Sequence, residues 1–193
     1  MLRKIRSLVS NSDYFGIYDN ALSKKECNIL IKEFEKSSPD VGQTSMGYCP
    51  EEKKCLQLDF GFDDGSLISN ILYSVGVRYI DQYIKSYPCL EEIHYWKIYN
   101  KFSFQKYETE EDGYKQWHCE HCIGEPYSLR VLAWMFYLND AKCGTEFMNY
   151  PTVSAKMGRL VIWPAGWTHL HKGVTPNRGL KYITTGWCSF YDK

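Results

Sequence analysis

Two segments in the first half of the chain carry apolar residues at the spacing of an amphipathic helix. The first begins with a capping box, in which Ser23 and Glu26 can each accept a hydrogen bond from the other's freed backbone N–H, and it ends at the turn over 37–40. The second runs from near Asp64 to Ser86. Their apolar stripes predict two helices that pack on a core: Cys27, Leu30, Ile31 and Phe34 in the first, and Ile68, Ile71, Leu72, Val75, Tyr79 and Tyr83 in the second.

From Ile93 onward the pattern changes to short runs of aromatic and β-branched residues, separated by turn residues such as Asn100 and Asp112-Gly113. Many short strands at such spacing favour a sandwich or a barrel. We therefore expect a mainly β, α+β fold whose helices cover one outer face of the sheet. The predicted strands are Ile93–Tyr99, Phe102–Tyr107, Tyr114–Glu120, Arg130–Leu138, Thr145–Met148, Arg159–Trp163 and Lys181–Phe190.

The composition is that of one globular domain. Of the 193 residues, 44% are hydrophobic and the formal net charge is zero, so the charge balance favours neither a nucleic acid nor a membrane surface as a partner. The basic run over 3–6 is too short for a targeting signal, and no apolar run reaches the roughly 18 residues of a membrane span. We expect a flexible N-terminus over 1–12, one domain over 13–193 with helical support over 20–88 and a β core over 93–190, and a cytoplasmic location.

Eight cysteines raise the question of disulfides or bound zinc. Their spacing is irregular and no signal peptide precedes them, so we expect reduced thiols. Cys119 and Cys122 form a C-x-x-C with His118 and His121 interleaved, which leaves a zinc or redox site open as an alternative. No second pair of this kind follows, and a tetrahedral zinc site would therefore need scattered ligands.

His118 and Glu120 are candidate metal ligands. They lie two residues apart in a predicted strand, so both side chains can reach one face while Cys119 points away. His169 or His171 can supply a third ligand; the alternative is that both of these histidines only form hydrogen bonds within a turn. Two imidazoles and one carboxylate leave coordination positions open on the metal and suit a non-heme Fe(II) oxygenase.

Lys181 begins a strand in which Lys181, Ile183, Thr185 and Trp187 alternate and so share one face. If this face is buried, the lysine needs an anionic partner, because an unpaired buried charge is very costly. An acidic cosubstrate beside the metal would supply that partner through a charge-assisted hydrogen bond. The alternative is that this face lies toward solvent and that Lys181 is simply exposed.

The order and spacing of these residues resemble the Fe(II)/2-oxoglutarate-dependent dioxygenases of the prolyl 4-hydroxylase type. The resemblance extends from Tyr14 to Phe190. It is carried by short pieces that are specific only in combination: Phe15-Gly16-Ile17-Tyr18, Tyr107, Gly113-Tyr114, His118-Cys119-Glu120, Arg130, Tyr137-Leu138-Asn139-Asp140, Gly144-Thr145-Glu146-Phe147, Lys156-Met157-Gly158-Arg159-Leu160, Trp163-Pro164, His171 and Lys181.

The resemblance implies a double-stranded β-helix, which is a jelly-roll or cupin-like barrel, with the helices outside. It implies that iron is bound by His118, Glu120 and His171. We choose His171 over His169 because the family places its basic anchor ten residues after the distal histidine. The other implied roles are cosubstrate binding by Lys181, with help from Tyr137 and Tyr107, contacts beside the iron from Thr185 and Trp187, and a position near the substrate mouth for Arg130.

The implied activity is hydroxylation of an unactivated C–H bond, with peptidyl proline as the expected substrate and succinate and CO2 as further products. The implied cofactors are Fe(II), 2-oxoglutarate and O2, with ascorbate as an additional candidate. Two departures stand out: Glu120 occupies a position where the family usually has Asp, and the Cys143-Gly144 turn is one glycine short. The alternatives are a hydroxylase of a free amino acid or another small molecule, and a non-catalytic β-barrel binding module with a vestigial metal site.

Overall fold

The computed structural model describes residues 13–44, 47–174 and 179–191. The predicted flexible N-terminus over 1–12 lies outside these ranges. Both predicted helices are confirmed: α1 spans Lys24–Glu35 and α2 spans Leu67–Ser86. The capping box at the start of α1 is formed as predicted, with the Ser23 hydroxyl accepting from the Glu26 N–H at 3.2 Å and the Ser23 N–H donating to the Glu26 carboxylate at 2.7 Å.

The strands follow in chain order, with short 3-10 turns at Pro88–Glu92, Tyr127–Leu129 and Trp167–His169. Their bounds are β1 Gly16–Tyr18, β2 Asp40–Val41, β3 Lys53–Lys54, β4 Leu56–Gly61, β5 Trp96–Tyr107, β6 Gly113–Tyr114, β7 Arg130–Tyr137, β8 Gly144–Phe147, β9 Val153–Ser154, β10 Leu160–Pro164, β11 His171–Gly173 and β12 Lys181–Phe190.

An antiparallel seven-stranded sheet in the order β1-β10-β7-β12-β5-β4-β2 is the main layer of the fold. A three-stranded sheet, β11-β8-β9, and the β3-β6 pair form the smaller sheets. An isolated bridge between His118 and His171 links the chain that follows β6 to β11. The arrangement is the predicted double-stranded β-helix with its helices outside, but the sheets do not close into a barrel.

Alternation along β7 produces two cores on opposite faces of the main sheet. Leu132, Trp134 and Phe136 pack with the helices, whereas Ala133, Met135 and Tyr137 belong to the inner cluster that includes Phe147 and Val153 from the three-stranded sheet. Each large apolar side chain buried in this way contributes about 1.5–3 kcal/mol to folding.

Val131 does not follow the alternation of β7. It is two residues before Ala133 and would share the inner face with it, but it is half-buried against the helix-side core. It lies at the start of β7, where the pairing with β12 shifts at Cys188 and Ser189.

Three predictions about the strands are wrong. Asn100 is not a turn, because its carbonyl accepts from the Phe62 N–H at 2.9 Å and β5 continues through it as one 12-residue strand. The strand predicted over Tyr114–Glu120 ends at Tyr114. The helical support predicted over 20–88 also contains the strands β2, β3 and β4, which pair with partners in the second half of the chain or with each other. The strand predicted over Lys181–Phe190 is confirmed at both ends.

None of the helices in the described part of the chain is long and apolar enough to cross a membrane. All eight cysteines lie in the described ranges, and no disulfide joins any two of them.

Candidate metal centre and its cavity

His118, Glu120 and His171 come together at one point between the sheets. Each offers one ligand atom, and these atoms all lie within 4.8 Å of one another. Paired backbone bonds bring the two histidines together, since the His118 N–H donates to the His171 carbonyl at 3.0 Å and the His171 N–H donates back at 2.9 Å. The Glu120 N–H donates to the Ala165 carbonyl at 3.0 Å. The ligand atoms therefore converge even though His118 and Glu120 are not on a regular strand.

Backbone carbonyls orient both imidazole rings. Nδ1 of His118 lies 2.9 Å from the Gln116 carbonyl, and Nδ1 of His171 lies 2.9 Å from the His169 carbonyl. A proton held on Nδ1 by a carbonyl leaves Nε2 with a lone pair for a metal ion. Burial, followed by the proximity of the His171 imidazole, lowers the pKa of His118 to about 4, so its ring is neutral near pH 7, as metal binding requires.

The Glu120 carboxylate is held in one orientation by two donors. Its Oε2 accepts from Trp187 Nε1 at 2.7 Å and from Arg130 Nη1 at 3.1 Å, while Oε1 lies 3.3 Å from His171 Nε2. The Arg130 guanidinium stacks over the Trp187 ring at 3.6 Å, which holds the two donors together. Burial alone would raise the pKa of Glu120, but the neighbouring side chains of His171, His118 and Arg130 hold it well below its usual range. One oxygen is thus fixed and the other faces the histidines.

Lys181 is a buried cation in the same cavity. The residue is only 2% exposed. Its ammonium donates to the Val174 carbonyl at 3.2 Å and lies 4.4 Å from the centre of the Tyr107 ring. Burial lowers the pKa of Lys181. No carboxylate among the described residues lies within ion-pair distance of it, so the predicted need for an anionic partner stands.

A cavity of about 490 Å³ connects the metal cluster with Lys181. The predicted inner face of β12 lines it through Lys181, Ile183, Thr185 and Trp187, which confirms that alternation. Trp163 also lines the cavity, and its buried indole N–H has no hydrogen-bond partner in the protein. The three ligands His118, Glu120 and His171 fit Fe(II). The buried Lys181 ammonium, which has no carboxylate partner in the described part of the chain, fits the distal carboxylate of 2-oxoglutarate.

The two tyrosines expected to help bind the cosubstrate, Tyr137 and Tyr107, both have partners for their hydroxyls within the protein. The Tyr137 hydroxyl lies 2.7 Å from Thr145 Oγ1 and 3.3 Å from the Val153 carbonyl within the inner core, and Tyr137 is not among the residues that line the cavity. Tyr107 does line it, with its hydroxyl donating to Gln105 Oε1 at 2.6 Å.

The alternatives at His169 and at the C-x-x-C segment are not supported by the geometry. His169 Nε2 lies 2.8 Å from the Asp13 carbonyl, and the ring stacks on Tyr150 rather than joining the cluster. His121 Nε2 contacts the Arg130 carbonyl instead. Within the ranges that the structure covers, the cluster of His118, Glu120 and His171 is the one group with metal-binding geometry, and it contains no thiol.

Two residues of the cavity were missed by the sequence analysis as site residues. Tyr114 stacks on the His118 ring with their centres 3.6 Å apart, and Lys53 is a second buried lysine in the cavity wall. Neither position carries a periodic signal, because β3 and β6 are each only two residues long. Their pairing, Lys53 with Tyr114, joins parts of the chain that are distant in sequence.

Residues 102–189 match the profile of the 2OG-Fe(II) oxygenase superfamily. Among curated proteins, none matches the sequence. A viral collagen prolyl hydroxylase from Paramecium Bursaria Chlorella virus-1, solved with 2-oxoglutarate, is 17% identical over 95% of this chain and 99% of its own, with a TM-score of 0.69.

Two further solved structures show the range of chemistry on this fold. A prolyl hydroxylase from Trichoplax adhaerens, in complex with a hypoxia inducible factor peptide, is 16% identical over 98% of this chain and 92% of its own, with a TM-score of 0.71. A non-heme alpha ketoglutarate dependent carbocyclase from nogalamycin biosynthesis is 10% identical over 92% of this chain and 80% of its own, with a TM-score of 0.67.

Two histidines and one carboxylate beside a buried lysine in one cavity are a ligand set that suits a non-heme Fe(II) oxygenase with an acidic cosubstrate. Residues 102–189 are similar to the 2OG-Fe(II) oxygenase superfamily, and the chain as a whole has the fold of the prolyl 4-hydroxylases.

Proposed function

We propose that this oxygenase hydroxylates an unactivated C–H bond of peptidyl proline, with 2-oxoglutarate as cosubstrate. The observation that carries the proposal is the placement of His118, Glu120 and His171 in one cavity with the buried ammonium of Lys181. When bound, Fe(II) supplies the oxidising chemistry with O2 and 2-oxoglutarate, and the cosubstrate leaves as succinate and CO2.

The chain's own residues position the reactants. His118 and His171 present their Nε2 atoms to the metal because carbonyls hold their Nδ1 atoms, and Glu120 presents Oε1 because Trp187 and Arg130 hold Oε2. Lys181 binds the distal carboxylate of the cosubstrate by a charge-assisted hydrogen bond. Thr185 lines the cavity between Lys181 and Trp187 along the same strand, beside the space that the cosubstrate would fill.

The proline part of the proposal is supported by the fold and by the cavity wall. Two prolyl hydroxylases share the fold over nearly the whole chain, one of them holding a peptide. Tyr99, Tyr127 and Trp187 line the cavity around Arg130. Aromatic rings of this kind offer apolar faces to a pyrrolidine ring, and Tyr127 and Trp187 both also contact the Arg130 guanidinium.

Turnover with defined peptides tests the proposal. The protein is incubated with Fe(II), 2-oxoglutarate and a panel of proline-containing peptides, and the succinate released is compared with the oxygen gained by the peptide in a mass spectrum. We expect equal amounts of succinate and hydroxylated peptide. Peptides in which alanine replaces the proline are the matched control. Succinate release that no proline peptide stimulates, with no oxygen added to any of them, would contradict the proline substrate but not the oxygenase class.

Trp187→Phe tests how the longer carboxylate of Glu120 is held. The change removes the donor that lies 2.7 Å from Glu120 Oε2 but keeps an aromatic ring under Arg130. Loss of an outer hydrogen bond to a metal ligand typically weakens metal binding about 10- to 100-fold. We expect the affinity for Mn(II), which replaces Fe(II) in a calorimetric titration, to fall about 10- to 100-fold in this variant.

Trp134→Phe is the control for the loss of ring volume, because the buried Trp134 indole N–H has no hydrogen-bond partner. It lies in the core on the other face of the main sheet, so it should lower the melting temperature and leave the Mn(II) affinity unchanged. Equal Mn(II) affinities for Trp187→Phe and the unmodified protein would show that Trp187 does not position Glu120.

A further inference from the structure

Lys53 is a second buried lysine in the cavity, and the proposed reaction has no role for it. The residue is 5% exposed, and its ammonium donates to Gln57 Oε1 at 2.7 Å and to the Gln43 carbonyl at 2.8 Å. Both acceptors are neutral, and within the described ranges no carboxylate lies within ion-pair distance of the ammonium. A buried ammonium without a counter-charge is costly, and two neutral acceptors leave its third N–H available.

Asp59, the nearby acid, accepts its hydrogen bonds from other side chains. Its Oδ1 accepts from the Ser103 hydroxyl at 2.5 Å, and its two oxygens accept from Gln57 Nε2 at 2.9 and 3.1 Å. The Gln57 amide therefore stands between the acid and Lys53, with its nitrogen toward Asp59 and its oxygen toward the ammonium. This arrangement holds the cation in place without neutralising it by direct contact.

The acceptors of Lys53 belong to a wall of hydrogen-bonded side chains on β4 and β5. Gln57 pairs with Gln105 and Asp59 pairs with Ser103 in the register of these strands, so all four side chains share the face that lines the cavity. Gln105 Nε2 donates to Gln57 Oε1 at 3.2 Å, and Gln105 Oε1 accepts from Tyr107. Because each member of this network fixes the next, Lys53 is presented to the cavity by a pre-organised support.

Lys53 lies near the metal cluster but is a different group from the cosubstrate lysine. Its ammonium is 5.8 Å from the centre of the Tyr114 ring, and that ring stacks on His118. Lys181 instead lies over Tyr107 and bonds to Val174. Arg130 in the same cavity is paired with Glu120, so Lys53 and Lys181 are the two buried cations there without a carboxylate partner among the described residues, and 2-oxoglutarate has one distal carboxylate to pair with them.

We propose that Lys53 binds a carboxylate of the substrate, so that the preferred substrate is an acidic peptide whose carboxylate lies close to the hydroxylated residue. This inference rests on the proposed function, because it assigns Lys53 to the second reactant of the same site. The carboxylate can belong to an acidic side chain beside the proline or to the carboxyl end of a chain that finishes with proline. In both cases, the substrate supplies the counter-charge that the protein lacks at Lys53.

Calorimetric binding of matched ligands to the protein loaded with Mn(II) and 2-oxoglutarate tests this inference without requiring turnover. One pair is a proline peptide with a neighbouring Glu and the same peptide with Gln. The second pair is a peptide ending in proline, with a free or an amidated carboxyl end. We expect the acidic member of one pair to bind about 10-fold or more tightly than its neutral partner, as for a buried charge-assisted bond. The pair that shows the preference identifies the source of the carboxylate.

Lys53→Met keeps most of the side-chain volume and removes the charge, so it should abolish this preference. Lys53→Arg keeps the charge, and the preference should survive in part, which also controls for a fold disturbed by the methionine. Three results would overturn the inference. Lys53→Met could keep the full preference for the acidic ligand, the unmodified protein could bind both members of each pair equally, or it could bind none of the four ligands. A rise in the 2-oxoglutarate requirement of Lys53→Met, with peptide binding unchanged, would overturn it as well by placing Lys53 at the cosubstrate. Succinate release in the turnover assay judges the proposed function separately from all these outcomes.

Discussion

Replacing His171 with alanine should abolish iron binding and, with it, hydroxylation. The variant removes one of three ligand atoms that lie within 4.8 Å of one another, and the two that remain cannot make a facial triad. Loss of an outer-shell partner already costs about 10- to 100-fold in metal affinity, so loss of the ligand itself should exceed 100-fold. Mn(II) titration followed by calorimetry measures the affinity, and metal analysis of protein purified with Fe(II) measures the content.

His169→Ala is the matched control, because this residue is also a buried histidine and lies only two positions away. Its ring contacts Phe15 and Tyr150, and its Nε2 meets the Asp13 carbonyl, so the variant should lower the melting temperature. Metal affinity should remain within a few-fold of the unmodified protein. Metal binding that survives in His171→Ala and is lost in His169→Ala would show that the distal ligand has been assigned to the wrong histidine.

Replacing Lys181 with alanine should raise the 2-oxoglutarate concentration needed for half-maximal turnover by about 10- to 150-fold. That range corresponds to a charge-assisted hydrogen bond of about 1.5–3 kcal/mol. The change also removes a buried charge that has no carboxylate partner in the described part of the protein, so the fold should not depend on it. Succinate formation at varied 2-oxoglutarate measures the effect, and the melting temperature of the variant checks the fold.

Lys106→Met is the control for this second prediction. Lys106 lies beside Lys181 in the sheet, where it pairs with Tyr182, but its ammonium contacts the carboxylates of Glu35 and Glu108 at 2.9 and 2.8 Å. It is not among the residues that line the cavity, so its loss should leave the 2-oxoglutarate requirement unchanged. If Lys181→Ala and Lys106→Met gave the same requirement as the unmodified protein, the anchor for the cosubstrate would have to lie elsewhere.

The sequence was most informative where one strand has two clearly different faces. From Lys181 to Trp187 every second residue of β12 lines the cavity, while Tyr182 and Cys188 lie in the helix-side core, so both the bounds of β12 and the residues facing the cavity could be predicted. The start of α1 could also be predicted, because the capping box is a signal carried by neighbouring residues. Predictions of this kind depend on a few neighbouring residues and need no knowledge of distant contacts.

The sequence was least informative where long-range pairing decides the local structure. The residues after Tyr114 do not continue as a strand, yet His118 and Glu120 still reach the site because their backbone bonds go to His171 and Ala165. Lys53 is buried by the two-residue pairing of β3 with β6 and by acceptors on β4 and near β2. In the sequence it is one of several charged residues in a polar run, and no period distinguishes it.

Glu120 shows how an unusual residue is accommodated. Glutamate has one more methylene than the aspartate usual in the family that the sequence resembles, so its carboxylate has more freedom to miss the metal. In the structure, Trp187 and Arg130 remove that freedom by binding Oε2 and leave Oε1 near His171. Sequence reasoning placed Trp187 and Arg130 close to the site, but their shared contact with Glu120 became visible only in three dimensions.

A crystal structure of the protein with Mn(II) and 2-oxoglutarate, prepared without O2, tests the central claim most directly. We expect one Mn(II) ion bound by Nε2 of His118, Oε1 of Glu120 and Nε2 of His171, and a cosubstrate whose distal carboxylate meets the ammonium of Lys181. An ion bound instead by the thiols of Cys119 and Cys122, or a cosubstrate outside this cavity, would contradict the account.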